Sequence, residues 1–285
     1  MNSLPAKHLA GSTQTLAALL QQNSLADVLL QIETKVRAAP ADIKLRWTLF
    51  QILCLLGYWP RALKQLQVCG RMQAGLATVA HGMRDLIRAE SMRNAVFAGK
   101  ARPGAMAADL PAWANGLLDA LRHAADGNPA AADDARENAL SSAPEVSGVS
   151  ALGRFDWIAD SDSRLGPTAE FIVGGMLRWC PFSELAALRI HAPDSMLELI
   201  WARVDCNLRD GTRLKGYMPA RYPGSENADD ALRLSRQTMW SEVGRSGVFG
   251  LGQKTWMTDG GDIALLDMRE LRFDVDNSGD GPCNA

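Results

Sequence analysis

The side chains that could carry out chemistry are few and scattered along this chain. Its four histidines never stand three or four positions apart, and none belongs to a metal-ligand spacing such as H-E-x-x-H. His191 precedes Asp194 and Ser195, but residues this close in sequence seldom converge in a triad, so a strand-end histidine followed by a helix-capping aspartate is the better interpretation. The sequence therefore predicts no catalytic residue, no metal and no cofactor.

Two glycine-containing runs resemble known catalytic or binding motifs without matching them. The run G-R-S-G at residues 244–247 misses the nucleophile elbow G-x-S-x-G by one position, which indicates a turn. The run G-L-G-Q at residues 250–253 lacks the third glycine and the following helix of a dinucleotide fingerprint. Close approach of another backbone is the simpler explanation for its glycines.

The carboxyl terminus begins like a calcium loop, with oxygen-bearing side chains at alternate positions from Asp274 onward. The twelfth position of that loop would be Ala285, where a calcium loop needs a bidentate glutamate. Residues 276–285 are therefore predicted to be a flexible acidic tail.

Composition limits the classes of partner. The chain has 285 residues, of which 47% are hydrophobic and 22% charged, as in a soluble globular protein. Its 30 basic and 32 acidic residues give a net charge of -2, which predicts no nucleic-acid or anionic-membrane surface. The first residues lack a basic segment followed by an apolar one, and no apolar run is long enough to cross a bilayer. We therefore expect a cytoplasmic protein with no membrane insertion.

Residues 1–145 are rich in alanine and leucine, and their apolar residues recur at helical spacing, which predicts an all-α domain. Gly57 and Ala62 resemble the inter-helix turn of tetratricopeptide repeats, in which glycine permits a tight turn and a small residue lets two helices approach. Gly127 and Ala132 repeat this offset. A tetratricopeptide-like helical array is predicted, with an irregular helical bundle as the alternative, and stacked helix pairs commonly leave a concave surface.

A small, polar stretch at residues 141–153 reads as a linker, and residues 150–275 are predicted to form an α+β domain with a mainly antiparallel sheet. Asp210-Gly211 is a hairpin turn signal between two of the expected strands. The predicted strands are Phe155–Ala159, Ala169–Val173, Met176–Trp179, Ala187–His191, Leu199–Asn207, Arg213–Met218 and Ile263–Phe273. Five of the eight tryptophans fall in this half, where each could be a core residue or an exposed interface anchor.

Ordered motifs in the second half carry a family resemblance. Trp179-Cys180-Pro181-Phe182 is followed by Tyr222-Pro223-Gly224-Ser225, by Arg233 and Arg236 before Trp240, and by Gly250-Leu251-Gly252-Gln253. In this order and spacing they resemble the ImpE family, also called SciE or TagJ, of type VI secretion accessory proteins. The chain departs from that pattern at Met239, where the family tends to have aspartate, and at Cys180, which separates an aromatic residue from the Pro-Phe pair.

The resemblance implies a cytoplasmic, non-enzymatic component of Gram-negative bacteria. It implies as partner the N-terminal helix of the small subunit of the contractile sheath, and an indirect link to the AAA+ ATPase that disassembles the sheath. An amphipathic helix needs apolar anchors and a charged rim on the surface that receives it. The candidate partner-binding residues are Trp179, Phe182, Tyr222, Arg233, Arg236 and Trp240.

Two other hypotheses remain open from the sequence. One is a plain helical-repeat scaffold whose concave N-terminal face binds the partner, while the sheet domain only stabilises it. The other is an enzyme with a cleft between the domains, using His191 with Asp194 or Asp205.

Overall fold

The computed structural model describes residues 16–107 and 109–274. The predicted acidic tail at residues 276–285 lies outside these ranges. Six helices of at least 13 residues make up most of the amino-terminal half within the described ranges. They are α1 (Leu25–Ala38), α2 (Ile43–Leu55), α3 (Trp59–Met72), α4 (Ala77–Phe97), α5 (Ala112–Ala125) and α6 (Pro129–Ser142).

Side chains that satisfy free backbone groups fix the starts of the first two helices. The Ser24 hydroxyl accepts a hydrogen bond from the Asp27 amide, and the Asp42 carboxylate accepts bonds from the amides of Lys44 and Leu45. These amides have no partner inside the helix, so the capping oxygens specify where each helix begins. The spacing of apolar residues then decides which helical face is buried.

The two predicted repeat turns have the expected geometry. Gly57 and Gly127 adopt positive φ angles of 69° and 76° between consecutive helices, a conformation that favours glycine. Ala62 and Ala132, five residues later in each case, are buried. The helical array predicted from the sequence is confirmed.

The carboxyl-terminal half is built around a nine-stranded sheet with the order β1-β6-β5-β9-β8-β7-β14-β2-β3. Among the described pairs of this sheet, β1 and β6 run parallel and the others antiparallel, as the predicted α+β class requires. Its strands are β1 (Gly104–Ala105), β2 (Gly148–Ser150), β3 (Gly153–Phe155), β5 (Thr168–Val173), β6 (Met176–Pro181), β7 (Leu185–Ile190), β8 (Trp201–Leu208), β9 (Arg213–Pro219) and β14 (Glu270–Phe273).

Two smaller sheets and one short helix complete the described fold. A three-stranded sheet has the order β13-β12-β4, and β10 pairs with β11 as a separate antiparallel hairpin. A single-turn helix, α7 (Asp230–Arg233), precedes this hairpin. The strand bounds are β4 (Ile158–Asp160), β10 (Thr238–Val243), β11 (Gly247–Gly252), β12 (Thr255–Thr258) and β13 (Gly261–Ala264).

Several predicted strands need correction. The single strand expected at 263–273 is two strands, β13 and β14, in different sheets. The expected strand at 155–159 is interrupted between β3 and β4, and the stretch predicted to be a linker contains β2 and the start of β3. The hairpin predicted at Asp210-Gly211 does join β8 and β9, and Gly211 has a φ of +87°.

Both faces of the large sheet are buried, each against a different part of the chain. Ile172 and Trp179 belong to the apolar core that extends through the helices, whereas Phe171 and Phe182 belong to a second core on the sheet side. Neighbouring positions of a strand point to opposite faces, so adjacent residues such as 171 and 172 enter different cores. The first of these two cores therefore contains residues of both the helical half and the sheet half.

Candidate partner-binding surface

Three of the predicted surface anchors are core residues. Trp179, Phe182 and Tyr222 are each 0% exposed. The Trp179 ring lies against Phe97 of α4, and the Phe182 ring makes an edge contact with Trp256 at a centroid distance of 4.8 Å. The expectation that these three contact a partner is corrected, because they have no surface to offer: they join the layers of the fold.

The other three candidates do reach the surface. Trp240 on β10 is 40% exposed, and its ring rests edge-on against Tyr222 at 5.5 Å. Arg236 is exposed, while Arg233 is partly buried and its guanidinium donates to the carboxylate of Asp230 and to the carbonyl of Glu226. Among the predicted residues, Trp240 and Arg236 are thus the ones most open to a partner.

The Y-P-G-S and G-L-G-Q runs are locked to each other. The Tyr222 amide donates to the Gly252 carbonyl at 2.8 Å, and the Gly252 amide donates to the Ser225 hydroxyl at 2.8 Å. The Ser225 hydroxyl in turn donates to the Tyr222 carbonyl at 2.6 Å. These bonds fix the base of the β10–β11 hairpin to the turn that follows β9.

Close approach explains the glycines of the second run. A Cβ atom on Gly250 would lie 2.4 Å from the Tyr222 ring, and one on Gly252 would lie 2.1 Å from the Gln237 carbonyl oxygen. Gly252 also has a φ of +91°. Gly252 therefore lies close to another part of the backbone, as predicted, whereas Gly250 lies close to the Tyr222 ring.

A cluster of buried charged residues joins helix α4 to strands β4 and β5. Arg93 donates two hydrogen bonds to the Glu170 carboxylate at 2.8 and 2.7 Å, and Lys254 contacts both Glu170, at 3.1 Å, and Asp160, at 2.8 Å. The four side chains are at most 2% exposed. The Tyr222 hydroxyl donates to Asp160 at 2.8 Å, so the cluster reaches the ring that supports Trp240.

The carboxyl groups of this cluster have perturbed pKa values. Burial alone would raise the pKa of Glu170, but the charges of Arg93 and Lys254 outweigh burial and lower it to about 2. Burial raises the pKa of Asp160, and Lys254 offsets only part of that effect. Glu170 is therefore an ionised carboxylate that pairs with Arg93 and Lys254, which is a role in holding the fold together.

Arg221 adds a second tie between the two halves. Its guanidinium donates to the carbonyl of Leu55, at the end of α2, at 2.9 Å and to the carbonyl of Arg233 at 2.7 Å. Carbonyls at the end of a helix lack intrahelical partners and carry partial negative charge, so a buried cation there is favourable. On α4, Glu90 accepts a hydrogen bond from the Trp201 indole at 2.9 Å.

The histidine considered for catalysis is in a different place and has a simple environment. The His191 ring lies 3.2 Å from the Asp205 carboxylate, and both side chains are about one-third exposed, at 33% and 34%. Asp194 instead accepts a hydrogen bond from Arg203 at 2.8 Å. Within the described residues, His191 has a carboxylate partner and no hydroxyl or thiol nucleophile bonded to it.

Exposed apolar side chains concentrate on the β10–β11 hairpin. Of the 11 large hydrophobic residues that are exposed in the described chain, four fall within the ten positions from 239 to 248. They are Met239, Trp240, Val243 and Val248, with exposed fractions from 40% to 51%. Since monomeric proteins seldom cluster such residues without a use, we take this hairpin as the candidate binding surface and name it the β10–β11 surface.

The tip of the hairpin is held by helix α6. The amides of Arg245 and Ser246 donate to the Asp133 carboxylate at 2.9 and 3.2 Å, and the Arg245 guanidinium contacts Asp134 and Glu137. The hairpin is fixed at both ends, because its base is bonded to the turn after β9 and its tip is bonded to α6. The exposed apolar residues are thus presented on a positioned element.

Sequence reasoning missed the charge cluster and most of the β10–β11 surface. Lys254 directly follows the G-L-G-Q run, and Glu170 is a charged residue within a predicted, otherwise apolar strand. A charge inside a buried segment usually has a buried partner, and that signal could have flagged both residues. Nothing comparable marks Met239 or Val248.

No helix in the ranges 16–107 and 109–274 is both long and apolar enough to span a bilayer. Within the same ranges, no group of three or more histidine, cysteine, aspartate or glutamate side chains is arranged to hold a metal ion.

Comparison with known proteins places the chain in a family. The family model described as "ImpE protein" matches residues 153–272. A relative from Pseudomonas aeruginosa, named "Type VI secretion system accessory component TagJ", is 38% identical over 268 residues, which cover 93% of this chain and 94% of the relative. A crystal structure of a protein from Vibrio parahaemolyticus superposes with a TM-score of 0.85 at 23% identity, over 92% of this chain and 98% of that one, and so supports the fold. The chain belongs to the ImpE family, which the order of its motifs already indicated.

Proposed function

We propose that this protein is a non-enzymatic, cytoplasmic accessory adaptor of a type VI secretion system. In this proposal it binds the N-terminal helix of the small subunit of the contractile sheath and links the sheath to its AAA+ disassembly ATPase. Membership of the ImpE family and similarity to a protein named as a type VI secretion accessory component support the pathway. The partner and the mode of binding are inferred from the family resemblance and from the β10–β11 surface.

One observation carries the binding site: the concentration of exposed apolar residues on a hairpin that is fixed at both ends. An amphipathic helix offers apolar residues at i, i+3, i+4 and i+7 and requires an apolar receptor surface. Trp240 and Val248 lie on one face of the hairpin, because Val248 is directly opposite Glu242, two positions from Trp240, whereas Met239 and Val243 lie on the other face. Trp240, with Arg236 close by, supplies the aromatic anchor and basic rim typical of interface hot spots.

Calorimetric titration with a synthetic peptide of the sheath subunit's N-terminal helix tests this function. We expect binding of the unmodified protein at micromolar concentration. Trp240→Ala is expected to weaken it by about 30-fold, equivalent to the ~2 kcal/mol of a typical aromatic hot spot. Leu152→Ala is the matched control, because Leu152 is 73% exposed in the same half but outside the hairpin, and it should leave the affinity unchanged.

The same titration addresses the helical-scaffold alternative. Leu30 on α1 is 62% exposed and stands for the helical surface. If Leu30→Ala abolishes binding and Trp240→Ala does not, the partner binds the helices and the proposed site is wrong. Absence of binding by the unmodified protein would contradict the proposed partner. Association of the sheath subunit with the ATPase only in the presence of this protein would support the linking role.

A further inference from the structure

The direction of backbone groups in the hairpin shows that β10 has an open edge. On β11, the Gly250 amide donates to Asp162, and the amide and carbonyl of Val248 bond to Ser163, all away from β10. In an antiparallel pair, directly opposite residues either both point inward or both point outward. Gly250 pairs with Trp240 and Val248 with Glu242, so the backbone groups of Trp240 and Glu242 also point outward.

The bonds of Gly252 show that the backbone groups of Thr238 also point outward. Its amide donates to Ser225 and its carbonyl accepts from Tyr222, both outside the hairpin, and it lies opposite Thr238. In the described chain, β10 pairs with β11 alone. The outer edge of β10 thus offers the amides and carbonyls of Thr238, Trp240 and Glu242 without a strand partner.

This edge lacks the usual protection against pairing. Natural proteins guard exposed edges with lysine, proline, bulges or a covering segment. β10 has neither lysine nor proline, its register with β11 is regular over all six pairs, and five of its six residues are exposed. Its single charged residue is Glu242, beside the apolar Met239, Trp240 and Val243.

We propose that β10 pairs antiparallel with β10 of a second copy of this chain, with Trp240 at the two-fold axis. A strand that meets its own copy antiparallel is self-complementary. In this register Thr238 lies opposite Glu242 of the copy, and Arg236, two residues before the start of β10, lies towards the same end of the paired edge as that Glu242, on both sides of the axis. Diagonal neighbours in a sheet are about 7–8 Å apart, and the long side chain of an arginine just outside the strand can reach towards a glutamate at that end.

Charge complementarity favours a second copy over an unrelated strand. Arg236 and Glu242 are both exposed, and in the described chain neither has a side-chain hydrogen bond or ion pair. The proposed register gives each its opposite charge. A six-residue strand edge is only about 20 Å long. It should therefore bury less than the roughly 800 Å² per partner of a standard interface, and the dimer should be weak and reversible.

Sedimentation of the full chain from about 1 to 500 µM tests the proposal, this being the range in which small interfaces dissociate. We expect a reversible monomer–dimer equilibrium. Glu242→Pro removes an amide that serves the outer edge alone, so the hairpin should survive while dimer affinity falls at least tenfold. Glu242→Ala keeps that amide and removes only the two symmetry-related exposed ion pairs of the dimer, so the loss should be smaller than for Glu242→Pro.

A charge exchange provides an independent check that does not depend on proline being tolerated. Arg236→Glu and Glu242→Arg each place like charges across the axis and should weaken the dimer, while the double variant should restore it. A protein that stays monomeric up to 500 µM, or a dimer that Glu242→Pro and Arg236→Glu leave unchanged, would overturn the proposal. Failure of the double variant to restore association would overturn the Trp240-centred register. None of these results depends on the sheath partner.

Discussion

The Tyr222 cluster and the β10–β11 surface lie next to each other but have opposite characters. Tyr222 is 0% exposed, bonded to the buried charges and wrapped by the glycines of the G-L-G-Q run. Trp240, 5.5 Å away in ring contact, is 40% exposed. Tyr222 and the glycines of the motifs therefore form the support, whereas Trp240, which is also a motif residue, belongs to the surface. Changes to the support should cost stability, whereas changes to the surface should cost association.

The most severe test of this comparison is removal of the helical half. A fragment of residues 146–285, which keeps the whole of β2, would expose the core face that includes Trp179 and Trp201, and would leave Glu170 without Arg93. We expect it to show no cooperative thermal transition by circular dichroism. A sharp transition with native-like near-ultraviolet signal would instead establish residues 150–275 as an independently folding domain.

Breaking the buried charge cluster should have the next largest effect. Glu170→Ala leaves Arg93 and Lys254 buried beside a missing carboxylate, which is expected to lower the free energy of unfolding by about 3–5 kcal/mol. Urea denaturation measures this loss. Glu270→Ala, which removes an exposed glutamate paired with Arg189, is the matched control and should cost under about 1 kcal/mol. Equal losses for the two variants would contradict the structural role of the cluster.

A smaller effect is expected where the support meets the surface. Tyr222→Phe keeps the ring against Trp240 and Gly250 but removes the hydroxyl bonded to Asp160 and to the Thr255 amide. The expected loss in the free energy of unfolding is about 1–3 kcal/mol, because a buried acceptor loses its donor. Peptide affinity should stay within about threefold of the unmodified protein at temperatures where the variant is folded. A large loss of affinity in the folded variant would mean that Tyr222 takes part in binding.

Sequence patterns predict the elements that have a local signal, either apolar residues at helical spacing or a turn motif. Helix α1 was visible because its buried residues recur at helical spacing, and β8 and β9 because Asp210-Gly211 marks the turn between them. Strand β10 was not predicted, since it is exposed along nearly its whole length and has no alternation of apolar and polar positions. Sequence patterns reveal a strand when buried and exposed positions alternate along it, and β10 has no buried position.

The candidate site was predictable only in part, for a related reason. Trp179 and Trp240 are the same residue type in similar motif contexts, yet one lies against Phe97 of α4 and the other is open. That difference depends on which distant helix covers each strand, and local sequence does not encode it. The pairing of Arg93 with Glu170 spans 77 positions and is equally hidden from motif spacing.

Hydrogen exchange on the full chain, with and without the sheath-subunit helix peptide, can locate the partner on the β10–β11 surface. We expect slower exchange on peptide addition at amides within residues 236–250, with exchange in α1 to α3 unchanged. Protection confined to the helices between Leu25 and Met72 would contradict it and would assign the partner to the helical array.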